Sequence, residues 1–204
     1  MQKKIITISR QFACGGKEIG KLVAKKLNID FYDKELLAIV AKKSGYAIEF
    51  LEETGEYVNA SLLFNVATSA MVGHRQFVQN HEMPLSDKVY VAQHNIIKEL
   101  AEKGPCVIIG RGADSILKDR DDVFNVFICA DMDFRKERAL KYHKMEEKNL
   151  EKEILKRDKK RAAHYNHYSD GTWGDARNYH LTLNSSVFGI EKCADIICNL
   201  IQDM

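Results

Sequence analysis

Residues Lys4 to Gly20 constrain this chain more than any other segment. Lys4-Ile-Ile-Thr-Ile8 is β-branched and almost continuously apolar, the pattern of a strand buried on both faces of a parallel sheet. The run breaks at Ser9 and passes through a loop ending in Gly15-Gly16. Apolar residues then recur at Ile19, Leu22, Val23 and Leu27, a spacing that lines one face of a helix. Strand, glycine-bearing loop and helix in that order aim backbone N–H groups and a helix dipole at one point, which suits an anion such as phosphate.

The full phosphate-loop pattern places glycine, four residues, then Gly-Lys-Ser/Thr, with lysine on the β/γ-phosphates and the hydroxyl on magnesium. Here Gly16-Lys17 supply the second half, Gln11 stands at the first glycine, and Glu18 replaces the Ser/Thr. A purely structural turn accounts for these residues as well as a nucleotide site does.

Two further buried-type runs, Cys106 to Ile109 after Gly104-Pro105 and Val123 to Cys129, are each trailed by helical spacing. A short strand at Leu181 to Leu183 and a helix from Val187 to Ile201 close the chain. This alternation predicts an α/β domain with a mostly parallel sheet. Between Leu36 and Leu100 the pattern is mainly helical, including Val89 to Leu100, and reads as a helical insertion between strands.

With 204 residues and 45% hydrophobic side chains, the chain can bury one substantial core. Its 31 basic and 29 acidic residues leave a net charge of +2, so there is no global pull toward nucleic acid or membrane. The apolar run at Ile5 to Ile8 is too short for a secretory or spanning segment, which predicts a cytoplasmic protein. The five cysteines contain no Cys-x-x-Cys pair and read as reduced thiols, most of them small core hydrophobes.

From Arg135 to Arg161 there are 12 basic residues against 6 acidic ones. A solvated helix carrying pairs such as Glu137 with Lys141 and Glu153 with Arg157 explains most of this excess. Arg157 and Arg161 lie four apart and share a helix face, so both guanidinium groups can serve one cleft, with Asp158 placed to orient one of them. The alternative for this pair is surface salt bridging. Arg111, between Gly110 and Gly112 directly after a buried-type strand, emerges at the strand's carboxyl edge, where α/β sheets bind ligands. Asp33 ends a short second strand and can accept from a substrate hydroxyl or a magnesium-bound water, or cap the next helix. Arg10 is read as bracing the loop through a carboxylate. His164, Tyr165, His167, Tyr168, Trp173, Tyr179 and His180 form an aromatic stretch. Zinc is set aside there because three or four ligands in defined geometry are lacking, and packing is preferred to stacking on nucleic-acid bases.

Ile6 to Gly20 resembles the opening of cytidylate kinase-like proteins, and the resemblance runs through the chain. Asn28-Ile-Asp-Phe-Tyr-Asp33 is similar to the second strand of nucleoside monophosphate kinases. Val107-Ile-Ile-Gly-Arg-Gly-Ala-Asp114 is similar to the strand and turn that present an arginine to the acceptor phosphate. Val126 to Asp131 with Arg135-Lys-Glu-Arg138 resembles the fourth strand and its helix, Lys156 to Arg161 an arginine-bearing lid, and Tyr179 to Ser186 the terminal strand.

The resemblance implies a P-loop NTPase-type three-layer fold with a parallel five-stranded sheet, a helical acceptor-binding insertion and a small lid. Within a single kinase-like domain the core would comprise residues 1–35, 104–145 and 178–204, the insertion about 36–103 and the lid about 146–177. It implies ATP and Mg2+ as cofactors and phosphoryl transfer to a nucleoside monophosphate, CMP or dCMP foremost. The donor would be held by Ser9, Cys14, Gly15, Gly16, Lys17 and Glu18. Lys17, Arg157 and Arg161 would be catalytic, and Asp33, Arg111 and Asp114 would contact the acceptor. No metal-ligand set is assigned; magnesium would rest on water, Ser9 or Asp33. Gly112 stands where cytidylate kinases usually carry aspartate, and the first loop is one residue longer than theirs, which leaves base choice and turnover open. The rival expectations are a kinase of another small-molecule acceptor and a nucleotide-binding regulator with little turnover. The expected partners are small-molecule nucleotide substrates, not nucleic acid or membrane.

Overall fold

Strand β1, Ile5–Arg10, alternates its side chains between two apolar layers, and the rest of the fold is arranged around it. In the computed structural model, which describes residues 5–33 and 84–203, Ile6 and Ile8 face a cluster with Ile19 and Val23 of α1 (Gly16–Leu27) and Ile197 of the last helix. Ile5 points the other way, into a cluster with Val89, Ile97 and Leu100 of α2 (Leu85–Lys103). That two-residue period is what places helices on both sheet faces.

The sheet has five strands in the order β2-β3-β1-β4-β5, with β2 Asp30–Tyr32, β3 Cys106–Ile109, β4 Val123–Cys129 and β5 Leu181–Asn184. Every pairing is parallel, and Ile5 is in register with Cys106 on one side and Val123 on the other. All carboxyl ends therefore open on one edge, where α/β sheets bind ligands. The short helix α3 (Ala113–Ile116) follows β3, and α4 (Met132–His143) and α5 (Leu150–Tyr168) follow β4.

The parallel five-stranded α/β fold is as expected, with differences in detail. The final helix is two helices, α6 (Ser185–Phe188) and α7 (Ile190–Gln202), because Gly189 at φ 76° turns the chain between them. The basic run is also divided, by residues 144–149 between α4 and α5. Among its ion pairs are Lys136 with Glu151 at 2.6 Å and Lys156 with Glu153 at 3.5 Å, where spacing suggested Glu137 with Lys141 and Glu153 with Arg157. Arg157 instead lies over the Phe12 ring, 4.6 Å from its centroid. Residues 34–83, most of the expected insertion, lie outside the described residues; the end of that segment, α2, packs on the sheet. All five cysteines are free thiols. Among the described residues no helix is long and apolar enough to cross a membrane, and no group of three or more His, Cys, Asp or Glu is placed to hold a metal.

Candidate active site

The loop between β1 and α1 is fixed by residues far away in sequence. The Gln11 N–H donates to the Ile128 carbonyl at 2.9 Å, which continues the β1–β4 ladder, and the Ala130 N–H donates to Gln11 Oε1 at 3.1 Å. The Phe12 N–H donates to Asp158 Oδ1 at 2.6 Å, and Arg135 Nε donates to the Phe12 carbonyl at 2.8 Å. Arg135 and Asp158 close this frame with a buried ion pair. Asp158 thus holds Arg135 and the loop, not Arg157 or Arg161 as the sequence suggested. Ser185 Oγ donates to the Cys14 carbonyl at 2.6 Å.

Held in this way, the loop takes two left-handed residues, Ala13 at φ 60° and Gly15 at φ 83°. Gly15 is the N-cap of α1 and brings no side chain to cap it, so the first-turn N–H groups keep the helix's positive end open toward a ligand. The Cys14 side chain turns inward; its thiol donates to the Ile128 carbonyl at 3.4 Å, and burial pushes its pKa up to about 11. It is inert as a nucleophile, leaving its backbone as the part that faces the loop.

Lys17, in the first turn of α1, reaches Asp33 at the end of β2, with Nζ 2.5 Å from Oδ2. Glu18 pairs with Arg138 of α4, whose guanidinium also lies 4.7 Å from the Tyr142 ring centroid. The carboxylate at the Ser/Thr position is thus turned to a cation.

On the neighbouring strand, β3 ends in three consecutive left-handed residues, Gly110, Arg111 and Gly112, at φ 66°, 61° and 64°. Glycine adopts this conformation freely, but for Arg111 it costs about 1 kcal/mol. The turn throws the Arg111 side chain back over the sheet edge. There Arg10, Arg111 and Arg161 line a cavity of about 20 Å³ with Ser9, His164, Tyr165 and Trp173. Arg111 Nη1 is buried with no hydrogen-bond partner among the described residues. Arg161 Nη1 donates to the Arg10 carbonyl at 3.2 Å. Arg157 and Arg161 share a face as expected, both over the Phe12 ring at 4.6 and 5.7 Å.

Asp114 lies behind this cavity, only 3% exposed. Tyr165 Oη donates to its Oδ2 at 2.8 Å and Ser9 Oγ to its Oδ1 at 3.3 Å. Burial raises the Asp114 pKa from its ordinary value, and the hydrogen bonds from Tyr165 and Ser9 pull it partly back. Burial and the same carboxylate push the Tyr165 hydroxyl up, and Tyr179 beside it rises to about 12. The structure therefore brings together Ser9, Arg111, Asp114 and Arg161, and separately Lys17 with Asp33. The pairing of Asp158 with Arg135, and the parts of Tyr165 and Arg138, were missed in the sequence; their partners lie up to 146 residues away, and no spacing rule reaches that far. The aromatic stretch does pack inward: Tyr168 stacks on Tyr90 at 4.0 Å, and Trp173 meets Phe127 edge-on at 5.4 Å.

The sequence model of the cytidylate kinase-like family matches residues 5–187. No curated protein sequence matches the chain. Among solved structures, an uncharacterized protein from Eubacterium ventriosum ATCC 27560 is similar at a TM-score of 0.73 and 26% identity, covering 99% of this chain and 100% of its own. Shikimate kinase from Bacteroides thetaiotaomicron is similar at 0.57 and 18%, covering 97% and 98%. Shikimate kinase from Acinetobacter baumannii in complex with shikimate is similar at 0.55 and 15%, covering 98% and 94%. At those identities the two shikimate kinases speak to the fold alone, and the fold they share with this chain is that of P-loop kinases.

Proposed function

The chain belongs to the cytidylate kinase-like family, and from that premise we propose that this P-loop kinase transfers the γ-phosphoryl group of ATP to a nucleoside monophosphate, CMP or dCMP foremost. The observation that carries the reading is the cavity at the carboxyl edge of the sheet. Three arginines converge on it, and Arg111 holds an unpartnered, buried guanidinium nitrogen there in a strained backbone. A buried guanidinium nitrogen with no hydrogen-bond partner, like Arg111 Nη1, is what an incoming phosphate oxygen satisfies, and strain kept at one residue is a mark of functional sites.

In this assignment the backbone from Cys14 to Glu18 cradles the donor phosphates, and Lys17 moves from Asp33 to them. Arg111 holds the acceptor phosphate. Arg157 and Arg161, stacked on the loop's Phe12, neutralise charge on the group in transfer. An acceptor phosphate oxygen bonds to the γ-phosphorus as its bond to the ADP oxygen breaks, so the protein's part is positioning and electrostatics. Magnesium, when bound, supplies charge neutralisation across the phosphate oxygens. This edge offers it few donors, Ser9 and Asp33, since Glu18 is engaged by Arg138. That set fits an ion held for the most part by nucleotide phosphates.

A second acceptor class is favoured by one observation: both carboxylate oxygens of Asp114 are occupied within the protein, so base recognition at this turn is reduced and another small phosphorylatable acceptor fits equally. The deciding experiment is ADP production from Mg-ATP with CMP, dCMP, UMP, AMP and GMP offered separately, beside Arg111→Ala. The expected outcome is turnover with a pyrimidine monophosphate that falls about 100- to 1000-fold in the variant. Stimulation by none of the five, with ATP still bound, overturns the nucleotide acceptor.

A further inference from the structure

We propose that Asp114 and Tyr165 form a positioning latch that joins the three arginine-bearing elements of the cavity through one buried carboxylate. Each of the three arginines sits close in sequence to a group on that latch. Arg10 is adjacent to Ser9, whose hydroxyl donates to Asp114 Oδ1 at 3.3 Å. Arg111 precedes Asp114 by three residues, across the left-handed turn. Arg161 precedes Tyr165 by one helical turn of α5, and Tyr165 Oη donates to Asp114 Oδ2 at 2.8 Å.

Three guanidinium groups facing one small cavity repel each other, a force set against the β1–β3 ladder and the bonds of α5 to residues 10–12 that hold their elements together. Hydrogen bonds from β1 and α5 to a carboxylate on α3 add a tie directly behind the cavity. Ser9, Asp114 and Tyr165 are 4%, 3% and 6% exposed, so the tie is short, dry and geometrically fixed. An ionisable group buried at this depth destabilises the fold relative to an apolar one. Its retention at the back of the arginine cavity is explained by what it positions. Asp114 acts through Ser9 and Tyr165 and does not touch the acceptor.

The test uses Tyr165→Phe and Asp114→Asn in the full chain, with two readouts. Trp173 is the only tryptophan and lines the same cavity, so its fluorescence reports anion binding there without turnover; inorganic phosphate is the probe. Only the turnover readout rests on the kinase assignment above. The expected result for Tyr165→Phe is a phosphate titration of Trp173 shifted about tenfold to higher concentration, and a kcat about 10- to 100-fold lower with KM for ATP within about threefold. Asp114→Asn, which keeps the shape and part of the hydrogen bonding, retains more activity than Asp114→Ala. Circular dichroism melting confirms that each variant is folded.

If phosphate shifts Trp173 and Tyr165→Phe weakens that shift while no monophosphate is turned over, the latch stands and the acceptor assignment fails alone. Wild-type titration and kcat in Tyr165→Phe overturn the latch. So does a change confined to acceptor KM in Asp114→Asn, since that marks Asp114 as a contact residue. Absence of any phosphate response in the wild-type chain overturns it as well.

Discussion

The loop after β1 and the turn after β3 lie on adjacent strands at the same sheet edge, and each bends through left-handed backbone to start a helix. They differ in how much of their shape comes from elsewhere in the chain. The loop of residues 11–15 owes its shape to Asp158, Arg135, Gln11 and Ser185, through bonds that span more than a hundred residues. The turn at Gly110–Gly112 is held mainly from within its own segment: the Ala113 N–H donates to the Gly110 carbonyl at 3.1 Å and the Ile116 N–H to the Gly112 carbonyl at 2.9 Å, and one bond from outside, the Gly110 N–H to the Ile8 carbonyl at 3.0 Å, extends the β1–β3 pairing into it. Its two glycines supply positive φ at no steric cost. A phosphate loop shaped from outside depends on α5 being docked, whereas an arginine presented by its own backbone is in place whenever the sheet is formed.

The sharpest way to break the comparison is Asp158→Ala. It leaves the Arg135 charge buried without its partner and the Phe12 N–H unsatisfied, a combination that costs about 3–5 kcal/mol. For a chain of this length that is a fall in Tm on the order of 10 °C, read by circular dichroism. Loop and helix are expected to loosen together, with ATP affinity lost alongside stability, while the local turn at Gly110–Gly112 keeps its form. Arg135→Lys separates geometry from charge, since a lysine cannot donate to the Phe12 carbonyl and Asp158 in the same fork.

A smaller effect probes the turn from its own backbone. Gly112 has open space where a side chain would begin, so Gly112→Ala tests conformation alone and is expected to lower stability by about 1 kcal/mol. Arg111→Gly moves the other way: it relieves the strain at φ 61° and offsets its own entropy cost, while phosphoryl transfer falls as in Arg111→Ala. Equal stability of Gly112→Ala and the wild type in a thermal melt would mean that the left-handed turn is maintained by its surroundings after all.

The same contrast decides what was legible in the sequence. Local rules found the strands at Cys106–Ile109 and Val123–Cys129, because a strand buried on both faces writes itself as a nearly unbroken apolar run, interrupted in the second only at Asn125. They also singled out Arg111, since flanking glycines after such a run announce an exposed turn. The split at Gly189 was missed because α6 and α7 share one apolar stretch, in which a single glycine is a weak break. Asp158 was noticed, but beside the wrong arginines: its helix neighbours are visible in sequence and Arg135, across the α4–α5 connection, is not. Tyr165 looked like one aromatic among several. Its part in the site exists only because α5 lies across the end of β1 and meets Asp114, a juxtaposition that tertiary packing creates.

The least of the expected effects concerns that carboxylate and is seen as a slope. Burial raises the Asp114 pKa in the folded protein, whereas in the unfolded chain it returns to the ordinary value of about 3.9. The folded state therefore binds the proton more tightly, and the stability tied to this group is fully present below that ordinary value and is lost as pH rises through the raised folded value. Above the raised folded value the ionised Asp114 is a net cost to the fold. Asp114→Asn, which is permanently neutral, is expected to melt no lower than the wild type at pH 7, with the difference between the two curves shrinking as the pH is brought down toward 4. Positioning through Ser9 and Tyr165 predicts that this equally stable variant is also slower than the wild type. A variant both less stable and slower at pH 7 would show that the carboxylate's charge is needed to hold the edge of β1 and α5 together, and would shift the source of order at this turn from its backbone to the cluster behind it.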